Sequence, residues 1–310
     1  MTKKSPPMEN TGLAIRQKGK TSLAAKKKGG AAAIALTFIR KRTLVWVCDI
    51  EKSSTILNDI RYINEAEEFL KRFYALTSIL VRVTGGIVYK GTGDGFLAAY
   101  EVALDRDLGR EAGKIFAAAW HLTRLISATQ LGVACPKRFK IRHGIALEPD
   151  SILIEHNTTQ IKLIDIIGRG VVLTFRLAGI KVPFPSIVTQ KNLVDAAAAN
   201  GCNYTFHKMK FSHEDLLKYF KGEKWSTNKV YASADSSLQK GKAPAPRQGG
   251  QKTTHALSSG IPLSEQQWLS DLYHELLIGA PWAQQAAKKL DEIVRVRPLA
   301  APRKKGQARG

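Results

Sequence analysis

Two aspartates in unusual sequence frames could bind a metal ion. Asp49 ends the apolar run TLVWVCD, and Asp94 lies at the tip of the glycine-rich segment GGIVYKGTGDGFLAAY. Each carboxylate falls where a β-rich segment ends, so we expect both at the edge of a sheet rather than inside it. Mg²⁺ at a phosphate site takes one or two protein carboxylates and leaves its other positions to water and substrate oxygens. The pair therefore predicts a site for a divalent cation.

The glycines around Asp94 predict a β-hairpin with this carboxylate at its tip. Gly91, Gly93 and Gly95 permit positive φ angles and a close approach of substrate to the backbone. The alternative is an ordinary turn, since Asp-Gly pairs commonly satisfy a turn and do nothing else. This segment alone leaves both interpretations open.

Two later segments, FKIRHGIAL (139–147) and DIIGRGVVLTFRLAGI (165–180), give the aspartates a context. The four segments, in this order and at these separations, resemble the catalytic domain of class III nucleotidyl cyclases. The resemblance covers about residues 43 to 190. The matching positions are Asp49 in the first block, Lys90, Gly93 and Asp94 in the second, Arg142, Gly144 and Ile145 in the third, and Asp165, Gly168, Val171 and Arg176 in the fourth.

The resemblance implies catalytic roles for several of these residues. Asp49 and Asp94 would bind two Mg²⁺ or Mn²⁺ ions, with the backbone carbonyl of Ile50 as a further ligand. One ion would favour ionisation of the ribose 3′-hydroxyl, and the other would stabilise the leaving diphosphate. Arg176 would stabilise charge on the α-phosphate. Its alternative is an arginine on a helix surface.

Lys90 and Asp165 occupy the positions that contact the edge of the base in this family. Their alternatives are a solvated strand lysine and a helix-capping aspartate. Because the family's sites form between two subunits, the resemblance also implies a C2 homodimer with two equivalent sites and an inactive monomer.

The chain departs from the family at positions that bear on the substrate. Val172 stands where an asparagine usually orients the ribose, and Thr174 replaces a small alanine. The usual His-Thr-Gly after the third block is replaced by Ala146, Leu147 and Glu148. Valine cannot form a hydrogen bond, and such a lost contact costs about 1 to 3 kcal/mol. We therefore expect a divergent enzyme or, alternatively, an inactive module that senses nucleotide or dimerises.

The choice of base follows from the same positions. Lys90 with Asp165 is the pair expected for adenine. The departures at Val172 and Thr174, together with a helical extension, resemble the divergent cyclases of bacterial anti-phage (Pycsar) systems, which make cyclic pyrimidine nucleotides for a separate effector. We expect UTP to be converted to cUMP, with ATP and CTP as the alternative substrates.

Length and composition predict one large domain with extensions, or two modest domains. The net charge of +22 is concentrated in residues 1–42, 239–253 and 295–310. Such basic low-complexity segments are typical of solvated tails, and no aromatic interleaving indicates a nucleic-acid groove, so no specific nucleic-acid partner is predicted. Nucleic-acid binding through the tails is a less favoured alternative. The predicted organisation is a basic tail (1–42), a cyclase domain (43–235), a basic linker (236–253), a helical extension (254–294) and a basic tail (295–310).

The three cysteines lack metal-ligand spacing, and an odd number argues against a disulfide framework. The apolar stretch 31–39 is too short to span a bilayer. We therefore expect a cytoplasmic protein without a transmembrane anchor.

Hydrophobic periodicity predicts an α+β fold, a ferredoxin-like βαββαβ core with a C-terminal helical extension. Polymerase palm domains share this scaffold, so the fold alone does not identify the reaction. Residues 254–294 are predicted to form a helical hairpin that packs on the core, crosses a dimer or senses a ligand. The predicted elements are strand 43–49, helix 63–83, hairpin 86–101, helix 105–131, strands 139–147, 151–155 and 160–166, and helix 169–180.

Overall fold

A computed structural model describes residues 21–22, 35–135, 137–157, 162–182, 187–202, 204–221, 229–233 and 263–295. The predicted linker 236–253 and residues 296–310 of the predicted C-terminal tail lie outside the described residues. The strands are β1 (Thr21–Ser22), β2 (Ala35–Ile50), β3 (Ile87–Gly91), β4 (Gly95–Glu101), β5 (Ile141–Asn157), β6 (Lys162–Ile167), β7 (Ile187–Gln190), β8 (Phe206–Lys208) and β9 (Val230–Ser233). The helices are α1 (Ser53–Leu57), α2 (Ile63–Val83), α3 (Leu108–Thr129), α4 (Arg169–Gly179), α5 (Lys191–Ala199), α6 (His213–Phe220), α7 (Leu263–Leu277) and α8 (Pro281–Arg295).

The core of the molecule is a βαββαβ unit made of β2, α2, β3, β4, α3 and β5. Its four strands lie in the order β3-β4-β2-β5, and each neighbouring pair is antiparallel. Helices α2 and α3 cover one face of the sheet. The predicted α+β, ferredoxin-like core is confirmed.

The apolar spacing of α2 explains how this face is closed. Phe69, Phe73, Leu76 and Leu80 recur at intervals of three and four residues, and all four are buried. They pack on the even-numbered side chains of β2, such as Trp46, while the intervening β2 residues face the other side of the sheet.

Strand β5 is longer than the sequence predicts. We expected two strands, 139–147 and 151–155, but Ile141–Asn157 is a single strand. The ladder between β2 and β5 shifts register between Lys41 and Thr43, opposite Pro149 and Asp150, so both strands bend there instead of ending. Strand β2 begins at Ala35, so residues 35–42 belong to the sheet and not to the predicted N-terminal tail.

The bend curls the sheet over its second face. Beyond the bend β5 pairs with β6, which places β3 and β6 at opposite ends of the order β3-β4-β2-β5-β6. These two strands nevertheless contact each other. The sheet and α4 therefore enclose a small second core, whose buried members are Val45, Val47, Leu97, Ala99, Leu153, Ile166, Val171 and Ala178.

The predicted C-terminal helical hairpin is present as α7 and α8 and packs on α2 and α3. Trp268, Leu272 and Leu290 join the main core, and Arg82 of α2 forms an ion pair with Glu275 of α7 at 3.0 Å. Within the ranges given above, no helix is both long enough and apolar enough to cross a membrane.

Candidate functional site

The structure brings Asp49 and Asp94 together at one end of the central strands. Asp49 pairs with Gly95 across the β2–β4 ladder, and Ile50 N donates a hydrogen bond to the carbonyl of Asp94 at 3.1 Å. A Cβ on Gly95 would lie 2.1 Å from the carbonyl oxygen of Cys48, and Gly93 has a φ of +88°. The glycines therefore let the tip of the hairpin lie against the end of β2, as the sequence predicts.

Arg142 holds Asp49 from the neighbouring strand. It lies opposite Asp49 in the β2–β5 ladder and donates to Asp49 Oδ2 from Nε at 2.8 Å and from Nη2 at 2.5 Å. The Ser53 hydroxyl donates to Asp94 Oδ2. These bonds all fall on the Oδ2 atoms, so the Oδ1 atom of each aspartate takes no part in them.

The electrostatics of the pair suit a cation. Burial raises the pKa of Asp49 above its ordinary value, the Arg142 guanidinium opposes this shift, and the charge of Asp94 raises the pKa further. A divalent cation beside two adjoining carboxylates would stabilise their ionised forms.

The described residues contain no group of three or more His, Cys, Asp and Glu side chains that could hold a metal. A pair of hard oxygen ligands suits Mg²⁺ or Mn²⁺ at a phosphate site better than a closed structural metal site. The carbonyl of Ile50 stays a predicted further ligand.

Lys90 and Asp165 also meet, although they lie on β3 and β6. Lys90 Nζ donates to Asp165 Oδ1 at 2.9 Å, and both side chains are partly exposed. The curled sheet makes this contact possible. The alternative in which Asp165 caps a helix is wrong, because Asp165 lies within β6 and α4 begins at Arg169 after Gly168.

Helix α4 carries Val172 and Arg176 one turn apart. Val172 is exposed, and the Nε of Arg176 is buried without a hydrogen-bond partner in the part of the chain that the structure describes. In that same part, Arg176 is bonded neither to the Asp49–Asp94 pair nor to the Lys90–Asp165 pair. A buried donor without an acceptor is uncommon in native proteins, so the position of Arg176 favours an incoming anionic group.

Thr174 has a different environment from Val172. It is fully buried, its hydroxyl donates to the carbonyl of Gly170 at 2.6 Å, and its own carbonyl oxygen would lie 2.2 Å from a Cβ on Gly144. Thr174 therefore packs inside the fold between α4 and β5 and presents no exposed surface to a substrate. Glycine at position 144 allows α4 to lie directly on β5.

Three residues hold the site in place, and the sequence did not predict this role for any of them. Arg142 entered only as part of a motif, and Ser53 lay in a turn of small polar residues. Tyr74 of α2 donates from its hydroxyl to the carbonyls of Gly93 and Gly95, at 3.0 Å in each case, and so fixes the hairpin tip. No local signal distinguishes Tyr74 from other half-buried aromatic residues of a helix.

Solved structures with a similar fold include nucleotidyl cyclases. The adenylyl cyclase CyaB from P. aeruginosa superposes with a TM-score of 0.51 and 15% identity, covering 64% of this chain and 96% of that chain. The guanylate cyclase domain of RhGC from Catenaria anguillulae, solved in complex with GTP, gives a TM-score of 0.49 and 14% identity, covering 63% and 96%. The sequence matches no protein-family model and no curated protein. The likeness to CyaB shows that this chain has the fold of a nucleotidyl cyclase catalytic domain, whereas an identity this low does not identify the reaction.

Proposed function

We propose that this protein is a nucleotidyl cyclase, which converts a nucleoside triphosphate to its 3′,5′-cyclic monophosphate and diphosphate. The observation that carries the proposal is the Asp49–Asp94 pair, assembled from β2 and the β3–β4 hairpin at one end of a sheet with the cyclase fold. Arg176, whose buried Nε has no hydrogen-bond partner among the described residues, supports the proposal from a separate element.

Asp49, Asp94 and the carbonyl of Ile50 would hold the Mg²⁺ or Mn²⁺ ions, two in each site. Such ions, when bound, favour the ionised 3′-hydroxyl and neutralise the departing diphosphate. Arg142 keeps the Asp49 carboxylate in one orientation. Its guanidinium also places positive charge beside the two carboxylates, which would otherwise repel a triphosphate.

Arg176 would donate to the α-phosphate as charge develops there. Since no hydrogen bond or ion pair joins Arg176 to Asp49 or Asp94 among the described residues, we propose that the site is shared in a C2 homodimer. The aspartates of one subunit would then meet Arg176, Lys90 and Asp165 of the other. Two apolar side chains of α4, Val172 and Phe175, are exposed and would be covered on dimerisation.

Lys90 and Asp165 would contact the base. One side chain donates hydrogen bonds and the other accepts them, and both are accessible. We propose UTP as the substrate, because uracil offers an O4 acceptor for Lys90 and an N3 donor for Asp165. The cUMP formed would act on a separate effector in anti-phage defence.

The support for a pyrimidine rests on the sequence resemblance and on Val172, since Thr174 is buried. ATP and CTP are the alternative substrates. Val172 also favours a second candidate function, an inactive module that binds nucleotide, because it offers no hydrogen bond to a ribose.

The test is to incubate the purified protein separately with ATP, GTP, CTP and UTP in the presence of Mn²⁺. Products are identified by mass spectrometry beside an Asp94→Asn control. We expect cUMP from UTP, and none from the control. More cAMP than cUMP would overturn the choice of base and leave the cyclase assignment intact. Nucleotide binding without any cyclic product would favour the inactive module.

A further inference from the structure

We propose that Glu148 is a positioning residue, whose carboxylate fixes the start of α4 to the bend of β5 and so places Arg176. The effect on catalysis rests on the proposed function, whereas the effect on α4 does not. Glu148 stands where the resembling family usually has a glycine, which carries no side chain for such contacts.

Glu148 is buried, with only 4% of its surface exposed, and each oxygen of its carboxylate bonds to a different segment. Oε2 accepts from the backbone N–H of Gly170 in the first turn of α4. Oε1 accepts from the backbone N–H of Asp150 at 3.1 Å, at the bend of β5. One side chain therefore joins the helix to the strand.

The turn before α4 is packed closely around this carboxylate. A Cβ on Gly168 would lie 2.3 Å from Glu148 Oε2, and a Cβ on Gly170 would lie 2.8 Å from the Cβ of Glu148. Neither position could carry a side chain without displacing Glu148 or the helix. The two glycines of this turn thus accommodate Glu148 as well as the turn itself.

Helix α4 has no side chain of its own that accepts a hydrogen bond from its first N–H groups. Its N-cap is Gly168, which makes no side-chain hydrogen bond, and its first turn contains no acidic residue. The first N–H groups of a helix need acceptors, and the partial positive charge there stabilises an anion. The carboxylate of Glu148, on the neighbouring strand β5, supplies both the acceptor and the negative charge. These interactions also explain why a carboxylate can be buried at this position.

The same bend determines where Asp165 lies. Ser151 Oγ donates to the carbonyl of Lys41 at 2.6 Å, and Glu148 pairs with Thr43 across the ladder, so the bend is fixed on both strands. Beyond it, β6 returns to the side of β3 and Asp165 reaches Lys90. Glu148 therefore ties Arg176 and Asp165 to the same part of the sheet.

The first experiment measures amide hydrogen exchange of α4 in the full chain, without nucleotide. In Glu148→Ala, we expect faster exchange of the amides of α4, which begins beside the lost acceptor, while β2 and α3 exchange as in the wild type. Glu148→Gln should restore most of the protection, because its carbonyl oxygen still accepts from Gly170. Glu101→Ala, an exposed acidic residue, is the matched control. Unchanged exchange of α4 in Glu148→Ala would overturn the proposal. If Glu148→Ala does not fold, Glu148→Gln is compared with the wild type. The amides of α4 should then exchange slightly faster, because glutamine loses the charge and can accept from only one of the two backbone N–H groups, and unchanged exchange would overturn the proposal.

The second experiment is a double-mutant cycle with Arg176→Ala in the cyclase assay. We expect Glu148→Ala to lower kcat about 10- to 100-fold with little change in KM. The same change should have little effect in the Arg176→Ala background, since residues that act through one another are not additive. Losses that multiply would contradict positioning through Arg176. Faster exchange of α4 in a protein that makes no cyclic nucleotide would refute the proposed function and leave the structural role of Glu148 standing.

Discussion

Two ion pairs of this protein have similar chemistry and different surroundings. Arg142 and Asp49 are 26% and 22% exposed, whereas Lys90 and Asp165 are 46% and 35% exposed. Asp49 also shares its environment with Asp94, and burial raises its pKa. The two charges of the first pair lie opposite each other on β2 and β5, in the middle of the sheet, so their positions are fixed. The second lies at an accessible contact between β3 and β6, where a ligand can replace either partner. We expect fixed charge for catalysis at the first pair and recognition at the second.

The largest effect on activity is expected from Asp49→Asn, which removes a carboxylate of the first pair. Loss of a metal ligand should reduce cyclic nucleotide formation by more than about 100-fold with every triphosphate, since substitution of a residue that only orients a metal ligand already costs about 10- to 100-fold. Initial rates with each triphosphate and Mn²⁺ would be compared with those of Asp150→Asn, an exposed carboxylate paired with Arg40. A loss confined to one triphosphate would mean that Asp49 recognises the base.

Asp165→Ala should act on selectivity instead. Removing one charged hydrogen bond to the base costs about 1 to 3 kcal/mol, or roughly 5- to 150-fold in kcat/KM for the preferred triphosphate. The other triphosphates should lose less, so the ratio of kcat/KM values is the quantity to measure. An equal loss for all four would place Asp165 outside base recognition.

The two pairs should also differ in their contribution to stability. Arg142→Ala leaves a partly buried carboxylate unpaired beside Asp94 and should lower the free energy of unfolding by about 1 to 3 kcal/mol. Lys90→Ala breaks an accessible pair and should cost less than about 1 kcal/mol. Urea unfolding midpoints of the two variants and the wild type give the comparison. Equal shifts would show that burial does not separate the pairs.

The smallest effect concerns pH. Asp49 must be ionised to bind metal, so its raised pKa makes activity fall at a higher pH, on acidification, than it would for an ordinary aspartate. Arg142 opposes this shift, and Arg142→Gln should therefore move the acidic limb of the pH profile of kcat/KM upward. Lys90→Gln, at the accessible pair, should leave this limb in place. A downward movement in Arg142→Gln would contradict the assigned cause.

Local patterns predicted the elements that depend on local sequence. The apolar spacing of residues 63–83 defines α2 correctly, and the glycines around Asp94 define the hairpin tip. The sequence pattern predicts two strands, 139–147 and 151–155, whereas β5 continues through Pro149 and Asp150. Whether such residues end a strand or bend it depends on the partner strand, which local sequence does not specify.

The residues of the candidate site could be identified from the sequence, but most of the contacts between them could not. Asp49 and Asp94 were identified from their own frames, and Lys90 with Asp165 from a family resemblance. The contact between Arg142 and Asp49 joins residues 93 positions apart, so it depends on the register of two strands. Glu148 was noted as a departure from the family, but its function depends on a helix packed against β5. Such tertiary contacts cannot be derived from spacing along the chain.

The pairing of β2 with β5 has a consequence for the order in which the protein is made. Asp49 and Asp94 belong to β2 and to the hairpin before β4, whereas Arg142 comes after α3. During synthesis, both carboxylates leave the ribosome before the arginine that holds one of them, and domains generally fold from the N-terminus as they emerge. Because β2 can meet β5 only after that long separation is closed, joining these strands should be a slow step of folding. Until then the carboxylates of Asp49 and Asp94 lack the neighbouring positive charge of Arg142.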